Sequence, residues 1–381
     1  MSRGAVTSGA LALAVVLLLV GCTNQDAGQP LDPSWQRVEL PAGFVATQLV
    51  VVDGHLVVGG SAEGENPALV TGADTGTLEF VPLTSTSYYG ARARWYSLVV
   101  DGSQVRALGG RAGGGHGNPR WSTWLGDLEH FDETHTPGIE TFGGPRGGGM
   151  VGITVVDGQV VAAGGRVGDQ AGLDIAVWLE QGDTWIEQPS TGTALEASDT
   201  VLPFPSSVVT AGDRLLITGF TQVLGGGEVH SRAAVWIGDP LAGAPTTAWQ
   251  RLDLPAETSE ASADSALCTV ARCVVTGSGD GKLRIWSIAG EEATAVAIPT
   301  VEVGGADVPA PVTWSGRTTV VAPGSGSAVI AVATSEELST WELRVGPAGT
   351  PIAAAASGAA LYVLVTTADG SVELWSTATE G

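Results

Sequence analysis

The stretch VVDGHLVVGG, Val51 to Gly60, joins two runs of aliphatic residues through Asp53-Gly54 and ends in a glycine pair. Asp-Gly between two such runs is the signal of a two-residue β-hairpin whose central residues both take positive φ. The phrase returns as VVDGSQVRALGG from Val99 and as VVDGQVVAAGG from Val155, which places the turns at residues 53, 101 and 157. Recurrence at about 50 residues marks a repeat architecture.

Weaker copies carry the period onward. PSSVVTAGDRLLITG turns at Gly212-Asp213, ALCTVARCVVTG at Val270-Ala271, and AAASGAALYVLVT near Ser357-Gly358. A third strand follows each hairpin and often ends in tryptophan: Trp124, Trp178, Trp236, Trp286 and Trp375. An outer strand comes next, as in TWIEQP and AWQRLDLP, and helix-period stripes are absent beyond the leader. Antiparallel strands in groups of four are propeller blades, so the expected fold class is an all-β β-propeller. Six or seven copies fit between Phe44 and Gly381, because the segment from Ala310 to Val345 divides in more than one way. Seven is preferred: the last copy stops after its third strand, at VELWST, while SWQRVELP, Ser34 to Pro41, echoes AWQRLDLP, Ala248 to Pro255. The N-terminal segment is therefore expected to be the outer strand of the last blade, closing the ring without an exposed edge.

Two families are resembled at this point. The glycine pair after the second strand, and Trp178 and Trp185 separated by LEQGDT, look like Kelch or galactose-oxidase-type blades; SGDGKLRIW and TADGSVELW resemble the end of a WD40 repeat. The Gly-His of a WD40 first strand is missing, and the glycine pair is confined to the first three copies. What the resemblance implies is the propeller rather than a subfamily.

The leader MSRGAVTSGALALAVVLLLVGC has one Arg, an apolar core shorter than a membrane span, and Leu19-Val20-Gly21 before Cys22. Leu-Val-Gly-Cys resembles the bacterial lipobox. The resemblance implies lipid on the Cys22 thiol, cleavage that makes Cys22 the new N-terminus, and two acyl chains sufficient for stable anchoring. The organisation expected is a signal peptide over 1–22, a polar spacer over 23–33 and the propeller over 34–381. The address is the cell membrane, lipid-anchored on its extracytoplasmic face. Export also makes a disulfide between Cys268 and Cys273 expected, since a turn at Val270-Ala271 sets them opposite each other across a hairpin.

With 40 Asp and Glu against 17 Lys and Arg, the formal net charge is −23. Nucleic acid is thereby a poor partner. The connections of the second to fourth copies are long, among them STSYYGARAR, GGRAGGGHGNPR and THTPGIETFGGPRGGG, whereas GSGDGK in the fifth is short. Long loops held on one face by a rigid scaffold are where binding sits. Residues 90 to 166 hold seven Arg and seven Asp or Glu, a neutral arc on an acidic chain. Tyr88, Tyr89, Arg92, Arg94, Arg111, His116, Arg120, Arg146 and Arg166 fall in or beside these loops and are the candidate ligand-binding residues. Arginines beside aromatic rings suit an anionic or glycan ligand through paired hydrogen bonds and ring stacking.

Catalytic and metal signals are thin. HFDETH offers His130, Asp132 and His135, of which the first two share a strand face and the third does not. There is no G-x-S-x-G elbow, no G-x-x-x-x-G-K-[ST] loop and no H-E-x-x-H. A galactose-oxidase-like copper site needs a cysteine crosslinked to tyrosine, and the hairpin disulfide leaves no spare thiol. No catalytic residue, metal or cofactor is expected. The leading functional expectation is an anchored binding or scaffolding lipoprotein that holds an envelope protein or anionic glycan on its top face. The alternative is a secreted carbohydrate-active hydrolase or lyase, whose carboxylates would lie on different blades and so escape recognition by spacing.

Overall fold

The computed structural model describes residues 34–381, apart from 63–64, 74–75, 114–118, 136–137, 226, 242–248, 257 and 378–381. Seven sheets follow one another along these residues, and each is a blade. Blade one comprises Val45–Val52, His55–Ala62, Asn66–Ala73 and the short outer strand Glu79–Phe80. Blade two comprises Arg94–Asp101, Gln104–Ala112, Pro119–Gly126 and Phe131–His135. It also gains a fifth piece, Leu83–Thr84, which runs parallel to the outer strand. Blades three to six span residues 147–188, 201–253, 261–295 and 312–348. Blade seven takes Thr350–Ser357, Ala360–Thr366 and Val372–Thr377 from the C-terminal end, and Trp35–Val38 from the N-terminal end. That last pairing is antiparallel, Trp35 opposite Thr377 and Val38 opposite Leu374, so the ring closes as the echo between SWQRVELP and AWQRLDLP predicts.

The hairpins form where the sequence places them. Asp53 and Gly54 have φ of 49° and 75°, and Asp157 and Gly158 have 48° and 75°, the mirror-image turn that matches the twist of flanking strands. Cys268 lies opposite Cys273, and the two form a disulfide.

The glycine pairs have a different cause. The first strand carries a bulge at Thr47, Tyr96, Val151, Ser206, Asp264 and Ile352 in six of the blades. The bulge brings that strand close to its neighbour. At Gly60 and Gly164, in the pairs of blades one and three, and at the single glycines Gly219 and Gly277, a Cβ would run into the backbone carbonyls of Val45, Gly149, Phe204 and Ser262, whereas at Gly110 it would meet the Trp121 ring. Glycine is the residue that lets a backbone approach so closely.

The core is a set of interfaces between blades. Trp124, Trp178, Trp236 and Trp286 on the third strands are all within 1% of fully buried. Each packs into the face of the preceding blade: Trp236 against Val161 and Val177, Trp286 against Leu216 and Val235. A tryptophan buried in this way is worth about 3–5 kcal/mol relative to alanine. Two of the indole N–H groups also fasten the connections between blades, Trp236 Nε1 donating to Ala194 O and Trp286 Nε1 to Pro255 O. Among the described residues, no helix is long and apolar enough to cross a membrane.

Candidate binding site

Connections from second to third strand and from outer strand to the next blade share one face of the ring, and most of the predicted site residues are there. The loop from blade one to blade two ends in a short turn, Gly90–Arg92, and it is held from beneath by Glu133. This carboxylate is 4% exposed and accepts from Ser85 Oγ at 2.8 Å, Thr86 N at 2.7 Å, Ser87 N at 2.9 Å and Ser87 Oγ at 2.6 Å. Gly90 sits against the same carboxylate, which leaves no space for a side chain there.

The clamped loop presents an aromatic and cationic cluster. Tyr88 is 66% exposed and meets Tyr89 edge to face, with ring centroids 5.3 Å apart. The Arg92 guanidinium lies over the Tyr88 ring at 4.2 Å, and that of Arg120 over the Tyr89 ring at 5.8 Å. Arg111 and Arg94 converge on Glu65 Oε2, at 3.0 and 3.4 Å. Their hydrogen bonds, Arg111 first, hold the Glu65 carboxyl below its usual range. Among the described residues Arg92 and Arg120 have no carboxylate partner, so of these four arginines they are the two still able to pair an incoming anion.

Arg146 and Arg166 form a separate group on blade three. Arg146 donates to Val167 O and meets Asp169 at 3.1 Å. Arg166 is largely buried, donates to Thr141 O at 2.9 Å and pairs with Glu187 at 3.0 Å. Burial pushes the Glu187 carboxyl above its usual range, against the pull of Arg166. These two arginines tie loops together. The structure thus does not bring all the predicted arginines into one surface. His116 and Cys22 lie outside the described residues. His130 and Asp132 do share a face, 2.7 Å apart, with Thr84 as a further neighbour of the imidazole. Trp95 enters the core, donating to Ala68 O, whereas Tyr96 stays 43% exposed at its bulge and packs on Trp121 at 4.7 Å.

Loop clamping by buried carboxylates is the feature that spacing did not reveal. Asp174, 4% exposed, accepts from Ser190 Oγ at 2.7 Å and from Ala197 N at 2.8 Å, fixing the loop into blade four. Asp264, the bulged residue of blade five, accepts from Val308 N at 2.9 Å and Ser262 Oγ at 2.8 Å, fixing the loop into blade six. Burial raises the Asp264 pKa to about 6. A folded-state pKa above the ordinary value of 3.8 means that the native state keeps this proton longer than the unfolded chain. Its contribution to stability is therefore complete below about pH 4 and lost as pH rises through about 6. Relative to wild type, Asp264→Asn is expected to flatten the dependence of urea stability on pH across that window. Parallel curves for the two proteins would contradict the assignment.

No protein-family profile matches the chain, and no curated protein matches it in sequence. Solved structures do match in shape. The β-propeller domain of Cps50 (Swd1) from Myceliophteria thermophila aligns over 92% of this chain and 100% of its own, with a TM-score of 0.56 at 11% identity. The chain has the β-propeller fold. The WD40 domain of Neurospora crassa Pan2 aligns over 91% and 96%, with a TM-score of 0.54 at 10% identity. The β-propeller domain of the Trilobed protease from Pyrococcus furiosus, described as having an open velcro topology, aligns over 88% and 96%, with a TM-score of 0.54 at 10% identity. The neighbours include WD40 propellers, and at these identities the likeness is one of fold.

Proposed function

We propose that this chain is a membrane-anchored extracytoplasmic lipoprotein, tethered through Cys22, whose propeller holds an anionic envelope glycan on the surface formed by Tyr88, Tyr89, Arg92 and Arg120. The observation that carries the reading is Arg92 stacked over an exposed tyrosine with no carboxylate partner among the described residues. Elsewhere in the cluster the arginines are neutralised by Glu65. A ring offers contact area to a sugar face, and a neighbouring guanidinium offers paired donors to its carboxylate or sulfate. The rest of the surface is acidic, so an anion is repelled elsewhere and admitted here. The hydrolase alternative needs two carboxylates converging on an open cleft. Glu133 and Asp174 accept from loop donors instead, which supports a scaffold built for binding.

The test uses the full-length protein expressed in its native envelope. Wild type and a variant with Arg92→Ala and Arg120→Ala should both sediment with membranes, while Cys22→Ser should be released or remain unprocessed. Capture of acidic envelope glycan by the double variant should fall about tenfold or more, the worth of one or two charge-assisted contacts. Arg251→Ala with Arg344→Ala, whose guanidiniums pair with Asp253 and Glu342, should capture normally. Undiminished capture by the first pair overturns the site, and capture of an envelope protein in place of glycan overturns the ligand class. Unchanged processing and fractionation of Cys22→Ser overturns the anchor.

A further inference from the structure

A second site lies on blade five, away from the tyrosine cluster. The outer strand Glu292–Ala295 pairs regularly with the third strand Lys282–Ala289, up to Trp286 opposite Ala295. Beyond that point Val296 N donates to Ile285 O, and the next contact is Leu283 N donating to Val301 O. Between those two bonds the third strand moves from 285 to 283 while the outer chain moves from 296 to 301. The surplus residues arch away from the sheet, and Pro299, which has no N–H, is at the arch. The arch, the Pro255-Ala256 connection and the third strand line an open cavity of about 620 Å³. That volume is in the range of small-molecule sites.

Two cations face this cavity. Lys282 and Arg284 are two apart on one strand and so point to the same side, with Trp286 buried below them. The Arg284 stem passes over Gly279, and its Nε is buried without a hydrogen-bond partner. No ion pair reaches either Lys282 or Arg284 among the described residues, although Glu302 is the backbone neighbour of Lys282. On a chain with net charge −23, Lys282 and Arg284 bring two positive charges to one cavity. Apart from Thr300, the remaining side chains of the lining, Ala297, Ile298 and Pro299 among them, are apolar.

We infer that this cavity is a binding site for a small amphiphilic anion: a phosphate or carboxylate head held by Lys282 and Arg284, with a short hydrocarbon portion against the arch. Titration calorimetry on the detergent-solubilised full-length protein tests it with hexyl phosphate, hexanoate and inorganic phosphate as probes. At least one of the two amphiphiles should bind once per chain, and the tighter of the two identifies the head group. Lys282→Gln should weaken that binding about tenfold, as expected for one charge-assisted contact. Arg284→Gln should weaken it further, and Arg284→Lys should recover part of the loss. Arg272→Gln with Arg317→Gln, at a separate cavity between blades five and six, should bind as wild type does. Because Lys282 is exposed, its variant keeps the test decisive even if Arg284→Gln fails to fold. The inference is overturned if neither amphiphile binds at millimolar concentration, or if Lys282→Gln binds undiminished. Inorganic phosphate binding as tightly as hexyl phosphate also overturns it, because the apolar wall would then contribute nothing.

Discussion

Deletion of residues 34–40 is expected to lower the melting temperature of the full-length protein by about 8 °C, whereas removal of residues 23–33 with Cys22 retained leaves it unchanged. Trp35–Val38 is the outer strand of blade seven, paired residue for residue with Leu374 to Thr377 of the third strand. Trp35 packs with Trp375 in the cluster around Trp314 and Val363, and Val38 joins the cluster shared by blades seven and one. Arg37 adds an ion pair to Glu373 at 3.0 Å, half exposed and so of small worth. Losing the strand removes the apolar burial of two side chains and the ladder bonds of a short strand, about 4 kcal/mol together. For a domain of this size one kcal/mol corresponds to about 2 °C. The deletion also bares an unpaired edge that invites association between chains. Equal melting temperatures for the two truncations would show that the ring does not depend on its N-terminal strand.

The closure was legible because it leaves a trace in residue types: an outer-strand phrase at the wrong end of the chain, and a last repeat lacking that phrase. Hairpins were legible for a similar reason, since Asp-Gly encodes a backbone conformation locally. The second-strand glycines were visible, but not their cause, because the close approach that Gly60, Gly164, Gly219 and Gly277 permit is to strands whose bulge has no fixed residue type. Six bulges are occupied by Thr47, Tyr96, Val151, Ser206, Asp264 and Ile352, which share no chemistry. At the site, the concentration of arginine and tyrosine was readable, but the partition of the arginines was not. Arg111 and Arg94 are neutralised by Glu65 from another blade, and Arg166 by Glu187 from a strand 21 residues on. Such pairings depend on which loops and strands the propeller brings together. No spacing rule carries that information.

Glu133 is where one signal was available and the motif drew attention past it. In HFDETH the two histidines and Asp132 look like chemistry, yet alternation along the strand puts Phe131 and Glu133 on the same, inward face. Phe131 is fully buried and Glu133 nearly so. A buried carboxylate persists only when donors surround it, and here the donors are the backbone and hydroxyls of Ser85, Thr86 and Ser87. Glu133→Ala is therefore expected to strand several buried N–H and O–H groups at once, destabilising the protein by about 3–5 kcal/mol. Glu133→Gln keeps the shape and one acceptor oxygen, and should cost less. The loss should be local before it is global: amide exchange at residues 85–92 should quicken in Glu133→Ala by far more than exchange in the strands of blades four and five. Because Tyr88 and Arg92 ride on that loop, glycan capture should fall as far as in the variant lacking Arg92 and Arg120, although neither ligand-facing residue has been touched. Unchanged exchange at 85–92 would show that the loop holds itself, and that the carboxylate beneath it has no part in presenting the site.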